Sequence, residues 1–111
     1  MIGVGSISPA ALKARLDGPE PPALLDVRED HERAFCAIPD AVCLHVPMGQ
    51  VPSRIDEIAA LSGPLVVYCH HGVRSMAVVQ WLASRGVRDL LNLEGGIDAW
   101  SVAVDPGVRR Y

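Results

Sequence analysis

The chain has 111 residues, half of them hydrophobic, with a formal net charge of −3, which suits one domain (residues 1–111) burying roughly two-thirds of its unfolded surface. No block of like charge runs along it, which argues against nucleic acid or an anionic membrane surface as a partner. No apolar run approaches the ~20 residues of a membrane span, and the amino terminus lacks a basic region followed by a long apolar stretch. Three cysteines are an odd number in a domain with an adequate core, and they read as free thiols of a reducing, cytoplasmic compartment.

In chain order, Gly5-Ser6-Ile7 reads as a short first strand. Ser8-Pro9 reads as an N-cap with proline at the first helical position. The helix runs to Leu16, with Ala11, Leu12 and Leu16 on its inner face. The breakers of residues 17–22 end it. Ala23 to Val27 is a second strand, and Asp26 is an acid inside it, costly to bury without a partner. Two partners are open: backbone N–H groups of a later loop at Cys69, or the end of its own strand and the turn that follows. Loop support is the expectation taken forward for Asp26. Arg28 has two readings, facing the mouth of the site or pairing with Glu29, Asp30 or Glu32 at the surface, and the structural ion pair is the one expected. Glu29 to Phe35 reads as a short charged helix, and Ala41 to Val46 as a third strand stopped by Pro47. Cys43 is read as a small core hydrophobe, and His45 as a satisfied polar residue at the strand end. Met48 to Val51 reads as a loop, and Pro52 to Leu61 as a helix with Ile55, Ile58 and Leu61 on one side. Ser62-Gly63-Pro64 breaks it.

Next comes the stretch with the clearest chemistry, Leu65-Val66-Val67-Tyr68-Cys69-His70-His71-Gly72-Val73-Arg74-Ser75. Leu65 to Tyr68 is apolar and rich in β-branched residues, as a buried strand is. From Ser75 onward Ala77, Val78, Trp81 and Leu82 fall at helical spacing, and Gly86 is the stop signal. Cys69 therefore sits at the carboxyl end of a strand, just before a helix amino-terminus, the edge at which open α/β sheets bind ligands. A free thiol has a pKa of ~8.5, and a helix amino-terminus with a nearby cation lowers it. A loop curled over Cys69 would aim backbone N–H groups inward as an anion cradle. Gly72 permits the positive φ such a curl needs, and Arg74 supplies a planar, charged fork. Asp89 to Leu93 reads as a fifth strand, Gly95-Gly96 as a turn, Ile97 to Ser101 as a helix, and 102–111 as a tail. Trp81 and Trp100 are expected as core anchors. Strands alternating with helices indicate an α/β parallel sheet.

Cys69-His70-His71-Gly72-Val73-Arg74-Ser75 resembles the active-site loop of rhodanese domains, the thiosulfate-type sulfurtransferases. Leu24-Leu25-Asp26-Val27-Arg28-Glu29 is similar to that family's first central strand and turn. Asn92-Leu93-Glu94-Gly95-Gly96-Ile97-Asp98-Ala99-Trp100 is similar to its closing strand and helix. The resemblance implies a five-stranded parallel sheet with helices on both faces. It also implies a Cys69 persulfide formed from a sulfur donor such as thiosulfate and passed to a thiol or cyanide. No cofactor and no metal is expected, and His70, His71, Gly72, Val73, Arg74 and Ser75 form the binding loop. Arg74 has two readings, donor binding or bracing of the loop through its carbonyls, and Ser75 is expected to cap the helix with a contact to sulfur. The chain departs from the family at Cys36-Ala37-Ile38-Pro39-Asp40-Ala41, where a Gly-His-Ile-x-Gly-Ala stretch is common. Small phosphatases and arsenate reductases hold five residues between cysteine and arginine, whereas four lie between Cys69 and Arg74. The shorter cup suits one outer sulfur, which makes phosphoryl chemistry the distant alternative. A sulfur-relay module serving a partner protein is the nearer one. Zinc is not expected, because adjacent residues such as Cys69, His70 and His71 seldom all face one ion.

Overall fold

The computed structural model describes residues 4–39, 41–61 and 63–111. Asp40, in the altered segment, and Ser62, in the break before the Cys69 strand, lie outside the described residues, as do residues 1–3. Five strands, β1 (Val4–Ile7), β2 (Ala23–Asp26), β3 (Cys43–His45), β4 (Leu65–Tyr68) and β5 (Leu90–Leu93), pair in the order β1-β5-β4-β2-β3. Every pairing is parallel. Four α-helices lie between them, α1 (Pro9–Leu16), α2 (Asp30–Phe35), α3 (Ile55–Ala59) and α4 (Val73–Ser84), and α5 (Gly96–Ala103) follows β5.

The central strand β4 is buried on both faces, so its sequence is a continuous apolar run, as parallel sheets demand. Its side chains alternate between two cores. Leu65, Val67 and Cys69 face the layer of α3 and α4, with Ile58, Val78, Val79 and Leu82. Val66 and Tyr68 face the layer of α1 and α5, with Leu12, Ile97 and Trp100. Each fully buried aliphatic side chain in these layers contributes roughly 1.5–3 kcal/mol of hydrophobic stabilisation. After β2 the chain moves outward to β3 and then returns to β4 on the other side of β2. The carboxyl ends of β2 and β4 therefore flank a switch in strand order, where open parallel sheets form a crevice.

Several boundaries differ from the sequence expectation, each for a local reason. Ala11 points to solvent while Leu12 carries the inner face of α1, and Ser8 caps it as expected, accepting from the Ala11 N–H at 3.1 Å. Glu29 is the N-cap of α2 and lies outside the helix. The third strand keeps only Cys43–His45, and at the end of it His45 Nε2 lies 2.8 Å from the Arg28 carbonyl oxygen. The expected loop at Met48 and the start of the following helix are two 3-10 turns, Met48–Gln50 and Pro52–Arg54. Trp100 is a core anchor, 3% exposed. Trp81 is half-buried, with the Arg85 guanidinium 5.0 Å over its ring. The last helix extends to Ala103, and the segment after it folds back through Val108, whose carbonyl accepts from the Ser101 hydroxyl at 2.6 Å.

Candidate active site

Cys69 follows β4 directly and is 1% exposed. The curl beyond it turns on Gly72, whose φ of +97° makes it the left-handed N-cap of α4, a conformation costly for a residue with a Cβ. The helix then begins at Val73, earlier than its apolar spacing indicated, so Val73, Arg74 and Ser75 form its first turn. The N–H groups of an opening turn have no partner within the helix. Two backbone amides of this curl point at the sulfur instead: Gly72 N–H donates to Cys69 Sγ at 3.1 Å and Ser75 N–H at 3.3 Å. The Ser75 hydroxyl oxygen also lies 3.3 Å from Sγ. Ser75 is therefore no cap; it sits inside the helix and touches the sulfur.

A residue that the sequence reading passed over holds this curl. Asn92 of β5 accepts the Ser75 hydroxyl proton at 2.5 Å and donates its amide to the Gly72 carbonyl at 3.2 Å. It is a polar residue 5% exposed inside an apolar strand, and a buried amide needs specific partners. That signal was present in Leu90-Leu91-Asn92-Leu93, as it was at Asp26. The first turn of α5 braces the other side of the loop: Ile97 N–H donates to the Cys69 carbonyl at 2.9 Å and Asp98 N–H to the His70 carbonyl at 3.1 Å.

The Asp26 carboxylate makes no hydrogen bond to the Cys69 loop among the described residues. Its Oδ1 accepts from the Arg28 N–H and Nε, both at 3.0 Å, and its Oδ2 from Arg28 Nη2 at 2.8 Å and Arg33 Nη1 at 3.2 Å. Burial alone would push the Asp26 carboxyl up, but the Arg28 hydrogen bonds and charge outweigh it and hold it below its ordinary value. Arg28 is likewise not a surface residue. It is fully buried and pairs with Asp26, two residues back at the end of β2. Its remaining donors reach the carbonyls of Glu32 and Cys36 and the Tyr111 hydroxyl. The Cys36 bond, 2.7 Å long, anchors the segment where the usual glycines and histidine are missing, and Ile38 there is buried.

Arg74, whose side chain is 34% exposed, makes no hydrogen bond to a loop carbonyl among the described residues. Its Nη1 and Nη2 donate to Glu32 Oε1 and Oε2 at 2.7 and 2.8 Å, a two-pronged pair. Such a pair is stronger than a single charged hydrogen bond and fixes orientation. Glu32 Oε1 also accepts the Glu29 N–H of the α2 capping box, and Oε2 accepts the Tyr111 hydroxyl at 2.8 Å. The Arg74 hydrogen bonds, joined by those of Glu29 and Tyr111, hold the Glu32 carboxyl far below the usual range despite burial. Burial and the Glu32 carboxylate push the Tyr111 phenol up to about 12, so it stays protonated and donates. Neither Glu32 nor Tyr111 was expected at the site, because nothing local in the sequence links positions 32, 74 and 111.

At the mouth, the His70 ring stacks on His71 and on Tyr111, with centroids 3.8 Å apart in both cases. Burial, followed by the nearby His71, lowers the His70 pKa. Ligand atoms of His70, His71 and Asp98 lie within 4.8 Å of one another, but the Asp98 carboxylate is engaged by Arg110 at 2.9 Å. Of the loop residues expected from sequence, Gly72 and Ser75 touch the Cys69 sulfur, His70 and His71 stack on each other and Arg74 pairs with Glu32, whereas the Val73 side chain is exposed and Asp26 serves a neighbouring ion cluster.

Cys69 thus sits at the end of the central strand, with four residues between it and Arg74. A family model for the rhodanese-like domain covers residues 8–103. The chain belongs to the rhodanese-like family. Among curated relatives of this rhodanese-like domain, a putative sulfurtransferase of Bacillus subtilis is 38% identical over 103 residues, 93% of this chain and 96% of that protein. A sulfurtransferase of Allochromatium vinosum is 39% identical over 98 residues, 88% of this chain and 89% of that protein. Among solved structures, a rhodanese-like domain protein from Staphylococcus aureus superimposes with a TM-score of 0.78 at 31% identity, over 96% of this chain and 98% of that one. No helix among the described residues is long and apolar enough to cross a membrane.

Proposed function

We propose that this rhodanese-like domain is a sulfurtransferase that carries a sulfane sulfur on Cys69. The observation that carries the reading is the pair of amides, Gly72 and Ser75, aimed at Cys69 Sγ at the start of α4. Amides fixed in place stabilise a sulfur anion without reorganising during the reaction. In the first step the Cys69 thiolate attacks the outer sulfur of a donor. With thiosulfate, the bond between outer and inner sulfur breaks, sulfite leaves with the electron pair, and Cys69 holds a persulfide anion. In the second step a thiol or cyanide takes the outer sulfur and Cys69 returns as a thiolate. This is covalent catalysis in two half-reactions. Asn92 and the opening turn of α5 keep the curl in place, and Arg74, tied to Glu32, closes it. The reaction belongs in a reducing cytoplasm, in keeping with the free thiols of Cys36, Cys43 and Cys69.

The test is intact mass. Incubation with a sulfane donor should add one sulfur atom, cyanide should remove it, and Cys69→Ser should show neither change. Sulfur loaded equally on Cys36 or Cys43 in that variant would overturn the assignment. Hydrolysis of an aryl phosphate faster than sulfur transfer would return phosphoryl chemistry to the first place.

A further inference from the structure

The charges around Cys69 point to the donor. Thiosulfate is a dianion, and its attack by the Cys69 thiolate gathers three negative charges at the mouth. A persulfide, R–S–SH, brings none in its protonated form, so the same step gathers one. An oxyanion donor therefore needs an unengaged cation beside the sulfur, and a persulfide does not. The cation within the loop is Arg74, and both arms of its fork are held by Glu32 at 2.7 and 2.8 Å. Glu32 is itself fixed from behind by the Tyr111 hydroxyl and the Glu29 amide. On the other rim Arg110 is paired with Asp98, and Arg109 lies 4.3 Å over the Phe35 ring. Arg33 is directed to Asp26, Cys43 and the Tyr68 hydroxyl, and Tyr68 faces the core layer opposite to that of Cys69. The nearest fixed charges thus cancel in pairs: Arg74 with Glu32, and Arg110 with Asp98.

We infer that the Glu32–Arg74 pair, locked by Tyr111, makes this site select a persulfide as sulfur donor over dianionic thiosulfate. The inference rests on the sulfur-transfer reading above. The step balances as follows: the Cys69 thiolate bonds to the outer sulfur of R–S–SH, the S–S bond of the donor breaks, and R–S⁻ leaves with the electron pair. Cys69 then holds S–SH, the proton having travelled with the outer sulfur. Glu32 and Tyr111 act through Arg74 and are positioning residues.

The experiment compares the persulfide of 2-mercaptoethanol, whose R group carries no charge, with thiosulfate as donors to the full chain, at low and moderate salt. The wild-type protein should favour the 2-mercaptoethanol persulfide by about tenfold or more in kcat/KM. Its rate with thiosulfate should not fall as salt rises, because the side-chain charges at the mouth cancel in pairs and exert no long-range pull on the dianion. Glu32→Gln frees the Arg74 charge. It should raise the thiosulfate-to-persulfide ratio by about fivefold, through a lower KM for thiosulfate, and make that rate fall with salt. Tyr111→Phe should shift the ratio the same way by a smaller factor. A wild-type preference for thiosulfate overturns the inference, as does a folded Glu32→Gln protein whose ratio is unchanged or lower. If Glu32→Gln does not fold, the salt dependence of the wild type decides: a thiosulfate rate that falls with salt overturns the inference, and a flat or rising one supports it. Failure of both donors to load Cys69 is a different result, since it removes the sulfur-transfer reading itself.

Discussion

Asp26 and Arg28 carry equal and opposite charges, and both are fully buried. Removing one partner of such a pair leaves an uncompensated charge, which costs about 3–5 kcal/mol. Asp26→Asn should therefore lower unfolding stability by that amount in urea titrations. Because its hydrogen bonds run to Arg28 and Arg33, the folded variant should load sulfur on Cys69 at a rate within about twofold of wild type. A folded Asp26→Asn protein that cannot be loaded would restore Asp26 as a loop support. Asn92 is the opposite case. It touches Ser75 and Gly72, which touch the sulfur. Asn92→Ala should slow single-turnover sulfur loading about tenfold, equivalent to ~1.4 kcal/mol in the barrier. Asn92→Asp keeps the acceptor for Ser75 and should recover part of that loss; equal rates in the two variants would show that the Ser75 contact does not matter.

Among the elements, α4 and α5 perform complementary tasks: one presents amides to Sγ, the other presents amides to the carbonyls of Cys69 and His70. The close approach of α5 depends on Gly96. Its φ is +62°, and a Cβ there would strike the backbone of His70 and Cys69. Gly96→Ala should cost more than ~2 kcal/mol, since strain at positive φ adds to a backbone collision, and it should displace the loop and slow sulfur loading as well. Gly49→Ala serves as the control: nothing lies within 4 Å of the added carbon, so its unfolding free energy should change by no more than that of an ordinary surface substitution, about ±0.5 kcal/mol. Equal effects of the two changes would mean that the approach of α5 to the loop is not tight.

Across the whole molecule, acid should loosen the contact between the loop, α2 and the carboxyl-terminal segment. Glu32 has its folded pKa depressed below the ordinary value of 4.5, with the Arg74 hydrogen bonds as the main cause. A depressed carboxyl stabilises the fold above its unfolded pKa, and that stability is lost as pH falls through the folded value. His70 is depressed below 6.5, chiefly by burial; the unfolded chain therefore takes up its proton first, and stability begins to fall below about pH 6.5. Urea midpoints should decline in an early stage removed by His70→Gln and a later, more acidic stage reduced by Glu32→Gln; a stability that rises on acidification would contradict both signs. What the sequence determined by itself was local. Alternating apolar runs and breakers defined five strands and their helices, the run Leu65 to Tyr68 ending at Cys69 located the nucleophile, and Gly72 marked the curl, because each rests on neighbours a few residues apart. The partners of charged side chains were decided only by the tertiary structure. Arg74 meets Glu32 and Tyr111 because the order β1-β5-β4-β2-β3 brings the end of β2, the start of α4 and the carboxyl-terminal segment to one edge. Asn92 reaches Ser75 and Gly72 for the same reason, across the pairing of β5 with β4. A charge finds its counter-ion through space at about 3 Å, and no periodicity along the chain records which residues folding will place there.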